Sequence, residues 1–164
     1  PALPICEPWD DMDRLNRERD VVGIYISGHP LDAFRFEMDY LTTKGGLELL
    51  ENMDSRRGKK CVFGGLVSSV EHRISKTGNP WGKFIMEDYH GSHEFTLFRE
   101  DYINLKEYMV EDWMLLVSGN IVKKRSWGDP EIDPGSEFKI TRIEMLSTAR
   151  EKKLERVRIN LNLN

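Results

Sequence analysis

A change of hydrophobic period at the Arg/Gly-rich stretch Ser55-Arg56-Arg57-Gly58 restricts the fold of this chain more than any other feature. Ahead of it, apolar residues fall at helical spacing; behind it they alternate with polar ones, as in strands with one buried face. The change separates a helical segment, residues 1–57, from a β domain over 58–148, and residues 149–164 are read as the truncated start of a following domain. In the helical segment Asp10, Asp11 and Asp13 precede Leu15, Val21 and Val22. Acidic residues suit a helix start because they complement its exposed N–H groups and dipole. Gly23 and the run Ser27-Gly28-His29-Pro30 break the pattern, and shorter helices are predicted over 31–40 and 47–53.

The β domain divides cleanly. A strand over 60–73 offers Val62, Gly64 and Val67 to the interior, with a phase shift that fits a glycine bulge. A loop by composition, 75–80, leads to a strand over 81–88 in which Phe84 and Met86 alternate against Lys83, Ile85 and Glu87. A third strand follows over 93–98, then a helix over 99–110 with Tyr102, Leu105 and Met109 on one side. A fourth strand, 113–125, keeps Leu115, Val117, Gly119 and Ile121 in phase, and a polar loop separates it from a fifth over 138–146. Three strands, a helix, then two strands is the element order of the OB-fold, a five-stranded Greek-key barrel. The fold class is therefore mainly β with a helical N-terminal segment, with the helix between strands 3 and 4 as its mark. The stretch 157–163 alternates again and reads as a strand whose partner lies outside the chain or in another copy.

Composition sets limits. Hydrophobic residues make up 39% of the 164, enough for a core, and no apolar run approaches the roughly 20 residues of a membrane helix. Cys6 and Cys61 form neither a disulfide framework nor a zinc cluster, so a cytoplasmic location with no membrane partner is expected. The chain opens on Pro1 rather than Met and is read as a segment of a longer protein. Its net charge of −4 argues against nucleic-acid binding, yet the distribution is uneven. Residues 1–55 hold 5 basic and 12 acidic residues, 56–148 hold 14 of each, and 149–164 hold 5 and 2. What decides is whether the cations of the middle segment share a face.

An OB barrel binds a strand across the outer face of its second and third strands, between the loops joining strands 1–2 and 4–5. Phosphates need cations there and bases need flat aromatic faces. The first loop region supplies Arg73, Lys76 and Trp81, the outward phase of strand two supplies Lys83, and strand four ends in Lys123-Lys124-Arg125 with Trp127 just beyond. These eight residues are the candidate nucleic-acid-binding set. The bland alternative is that the cations are solvated strand ends and the tryptophans caps on the barrel. Catalytic readings are weaker: the Asp10, Asp11 and Asp13 cluster fits a helix start better than a metal site. His90 and His93 lack further ligands and fit a turn, and His29 ahead of Pro30 fits a turn-fixing hydrogen bond. No catalytic residue, metal or cofactor is expected.

The run Gly23-Ile24-Tyr25-Ile26-Ser27-Gly28-His29-Pro30-Leu31-Asp32, preceded by Trp9 and an acidic helix, resembles the segment ahead of the OB domain in the bacterial replicative DNA polymerase III alpha subunits, the C-family. Further on, Gly65-Leu66-Val67-Ser68-Ser69-Val70 resembles that family's first barrel strand and Lys76-Thr77-Gly78-Asn79-Pro80 its first loop. Glu87-Asp88, Gly91-Ser92 and Phe98 fall where its second and third strands place them, so the resemblance covers about residues 9–148. The Ser-Gly-His-Pro-Leu-Asp run is its specific part; the barrel alone also looks like anticodon-binding domains of aminoacyl-tRNA synthetases. The resemblance implies a parent that elongates DNA from deoxynucleoside triphosphates, with its catalytic aspartates in a palm domain far upstream. It implies a non-catalytic module that binds single-stranded DNA and guides the template, with the sliding clamp and clamp loader as partners through the parent. The alternatives are a protein-docking module of the replisome and a tRNA anticodon-binding barrel. The tail from Val157 resembles the opening strand of the family's domain that docks the clamp loader's tau subunit. Three departures stand out: Lys83 where many relatives carry an aromatic residue, His93 in place of an aliphatic one, and an acidic rim at Asp129, Glu131 and Asp133.

Overall fold

The computed structural model describes residues 10–23, 25–125 and 132–153. They belong to two compact units that divide between Ala33 and Phe34. In the first, α1 (Asp11–Val22) starts at Asp10, whose carboxylate accepts the Asp13 N–H at 2.7 Å, and stops at Gly23, in the left-handed region at φ 85°. The acidic cluster is thus a helix cap and first turn. Glu18 accepts the Ser27 hydroxyl and the N–H groups of Ser27 and Ile26, at 2.8 and 2.9 Å for the latter two, which holds its carboxyl below the usual range. His29 Nδ1 accepts the Leu31 N–H at 3.1 Å while the His29 N–H donates to Asp32 at 2.8 Å. Residues 26–32 of the family-like run are thus held by Glu18 of α1 and by the His29 and Asp32 side chains.

The second unit is built on β1 (Lys60–Ile74), β2 (Pro80–Glu87), β3 (Ser92–Phe98), β4 (Met114–Lys123) and β5 (Ser136–Met145). All neighbours are antiparallel, in the order β3-β2-β1-β4-β5, and α3 (Arg99–Leu105) stands between β3 and β4. This is the OB-fold. The long first strand serves both halves: residues 60–66 pair with β4 and residues 66–74 with β2. Phe63, Val67, Phe84, Met86, Phe95, Leu115, Val117 and Ile121 fill the interior. The edges β3 and β5 meet at a seam where the Phe95 and Phe138 rings lie 6.0 Å apart, beside a slot of about 340 Å³.

The phase of β1 differs from the sequence expectation. Cys61, Phe63 and Val67 point into the core, and the bulge falls at Ser68, between Val67 and Ser69. The first half of β1 is covered on both sides, by the core and by α2 (Arg35–Leu41), so apolar residues occupy both phases and alternation hides the register. Gly64 and Gly65 are there for close approach: a Cβ on the first would fall on Met38, and one on the second would lie 2.6 Å from Met86 Cγ. Past the bulge the phase flips, which turns Glu71 and Arg73 to the outer face beside Lys83 and Trp81.

A fourth helix, α4 (Leu146–Lys153), continues directly from β5 and packs on β4, β5 and α2. Leu146 and Ala149 are fully buried, and Arg150 makes a two-pronged bond to Glu37 of α2, with Nη2 to Oε2 at 3.0 Å. The Glu37 side chain has no exposed surface, and the Arg150 guanidinium beside it holds its carboxyl below the usual range in spite of burial. The stretch 157–163 lies outside the described residues. Among these residues no helix is long and apolar enough to cross a membrane.

Candidate nucleic-acid interface

Strand register places the candidate side chains. Arg73 pairs with Trp81, and Trp81 pairs with Phe98, so one transverse row on the outer face of β1, β2 and β3 reads guanidinium, indole, phenyl. The Arg73 guanidinium sits 5.8 Å from the centre of the indole, and the indole stacks on the Phe98 ring at 5.7 Å and 25°. A cation against an aromatic ring is mildly attractive. Phe98 is 58% exposed, unusual for so large an apolar ring.

Beside this row lies a groove of about 520 Å³, lined by Trp81, Phe98, Arg99, Arg125 and the β1–β2 loop. That loop is tied by its own polar groups. The Ser75 hydroxyl accepts the Asn79 N–H at 3.0 Å, the Asn79 amide donates to Thr77 at 3.1 Å, and Gly78 turns the chain at φ 79°. Lys76 is exposed at its tip and makes none of the ion pairs among the described residues. Arg99 takes φ 50°, a left-handed conformation uncommon for a residue other than glycine, as the chain leaves β3 for α3.

The other candidates divide. Arg125 joins the groove; Lys124 lines the neighbouring β3–β5 seam and donates its N–H to Gly135 at 3.0 Å; Lys123 is exposed at the end of β4. Lys83 is engaged otherwise: its Nζ lies 2.8 Å from Glu94 and 3.6 Å from Glu71, and these carboxylates raise its pKa, Glu94 most. Trp127, with the rest of 126–131, lies outside the described residues. On the acidic rim Asp133 pairs with Arg57 at 2.9 Å, which lowers its pKa. Phe98 and Arg99 were missing from the sequence set. Phe98 shares the outward phase of Glu94 and Thr96, and an aromatic residue in a solvent phase was the signal available.

The histidines have structural settings. His93 is half-buried at the seam against Phe95, with ring centres 4.8 Å apart, and burial pushes its pKa down. His90 flanks the β2–β3 turn, where the buried Asp88 carboxylate accepts the N–H groups of Leu47, His90 and Gly91 at 2.7, 2.7 and 3.0 Å. Among the described residues no three His, Cys, Asp or Glu side chains are grouped to hold a metal ion.

Against known proteins, no family model matches the chain. It is 30% identical over 116 residues to DNA polymerase III subunit alpha of Escherichia coli K12, covering 71% of this chain and 10% of that protein. It is 34% identical over 117 residues to the subunit of the same name from Saccharopolyspora erythraea, again covering 70% and 10%. The chain is a relative of the DNA polymerase III alpha subunits. It spans about a tenth of the length of these alpha subunits. Among solved structures, a mitochondrial single-stranded DNA binding protein from S. cerevisiae matches with 19% identity and a TM-score of 0.36, over 54% of this chain and 96% of that one.

Proposed function

We propose that the barrel binds single-stranded DNA across the outer face of β1, β2 and β3, as a non-catalytic part of a replicative DNA polymerase. The observation that carries the reading is the Arg73–Trp81–Phe98 row opening onto a groove edged by Arg99, Arg125 and the ordered Lys76 loop. Stacked rings offer bases a sequence-tolerant platform worth about 1–3 kcal/mol each, and the surrounding cations meet the phosphates. Kinship with the polymerase III alpha subunits supplies the setting: a strand held here is template near the parent's active site, and Lys123 and Lys124 extend the contact beyond the groove. No cofactor enters this role. A second reading, docking of the clamp or clamp loader, draws on Lys83, whose charge is already spent on two carboxylates.

The test is a titration of the chain with oligo-dT at low salt, following tryptophan emission. Saturable quenching that is largely lost in Trp81→Ala is expected. Unchanged emission at high micromolar DNA refutes the reading, and retention of clamp or clamp-loader proteins in its absence favours docking. A preference for tRNA over oligo-dT would instead revive an anticodon-binding role.

A further inference from the structure

The outer face carries its own counterions. Glu71 on β1, Lys83 on β2 and Glu94 on β3 form a chain of charge across all three strands, with Lys83 Nζ at 3.6 and 2.8 Å from the two carboxylates. Glu71 also accepts the Arg73 guanidinium, so the cation of the aromatic row is neutralised from the same side chain. These bonds are what hold the Glu71 carboxyl below its usual range, Arg73 first and Lys83 after it. A hollow of about 350 Å³ lies over this cluster, open to solvent. A strand crossing the face therefore meets two cations already in use and two carboxylates that repel its phosphates.

We propose that Glu71 and Glu94 are built-in competitors for phosphate, setting the affinity of this face low so that a strand is held without being trapped. A phosphate at Arg73 or Lys83 competes with a carboxylate already bonded to that cation, and a carboxylate displaced from it stays close enough to take the cation back. The proposal rests on the single-strand reading above and adds to it which residues limit the binding.

The experiment measures binding of fluorescein-labelled oligo-dT to the whole chain by anisotropy over a series of salt concentrations. The variants are Glu71→Gln, Glu94→Gln, the two together, and Glu107→Gln as a charge-matched control on the exposed turn after α3. Exposed ion pairs are individually weak, so each single variant is expected to tighten binding about two- to fivefold and the double about tenfold. The double should also steepen the plot of log affinity against log salt by about 0.7 for each cation freed for phosphate contact. Adding Lys83→Met to Glu94→Gln should cancel the gain of Glu94→Gln. Thermal melts confirm that the variants fold. Unchanged or weaker binding by the double variant overturns the proposal, as does an equal gain in Glu107→Gln. Binding by the wild-type chain with no gain in the variants removes this inference alone; no binding by either removes the single-strand reading with it.

Discussion

Replacing Glu37 by glutamine isolates the charge that fastens α4 to α2. The side chain keeps its shape and one acceptor but loses the carboxylate that Arg150 grips with two nitrogens. Removing one partner of a fully buried pair costs about 3–5 kcal/mol, because the other charge is stranded in a poor solvent. Here the Arg150 side chain is 46% exposed and recovers water, and the glutamine carbonyl still accepts one bond, so the loss should be nearer 1–2 kcal/mol. For a unit of this size that is a drop in Tm of about 3–10 °C at pH 7. The dependence on pH gives a sharper check. The folded protein holds Glu37 below its ordinary value near 4.5, so protonation favours the unfolded chain. The stabilisation is whole above about 4.5 and fades as the pH falls through the folded-state value. Wild-type and variant melting curves should thus stand apart at pH 7 and converge toward pH 3. A gap that stays constant over that range, or none at pH 7, refutes the reasoning.

Gly82→Ala should destabilise by about 1–3 kcal/mol through overpacking, read as a lower urea midpoint with unchanged slope, because the new methyl would lie 2.8 Å from both Met109 and Tyr102. Asp88→Ala removes the acceptor of three N–H groups that ties the β2–β3 turn to the 3-10 segment Gly46–Asn52, and should cost about 2–4 kcal/mol by the same assay. Lys76→Ala with Lys124→Ala should weaken oligo-dT binding and flatten its salt dependence by about 0.7 per cation removed, measured by anisotropy.

The element order of the barrel was legible because β2 and β4 have one covered phase apiece at most positions, and alternation reports that directly. The first half of β1 was not, since α2 covers its second face and Val62, Gly64 and Leu66 look as apolar as the true interior phase. Helix α4 escaped notice for a related reason. Its only fully buried apolar residues are Leu146 and Ala149, and its firmest tie is an ion pair that hydrophobic period does not register. At the candidate site, residue type singled out Arg73, Trp81 and Arg125 as candidates, but cross-strand register was needed to align Arg73 and Trp81 with Phe98. The same register showed that Lys83, which looks free in the sequence, faces Glu71 and sits diagonal to Glu94.

The central claim, that single-stranded DNA lies on the outer face of β1, β2 and β3, is tested most directly by amide and indole NMR shifts of the whole chain as oligo-dT is added. The account expects the Trp81 indole N–H, Arg73, Phe98 and the 75–79 loop to move together and saturate together. No shifts, or shifts confined to the α2 side around Tyr40 and Tyr89, would contradict it.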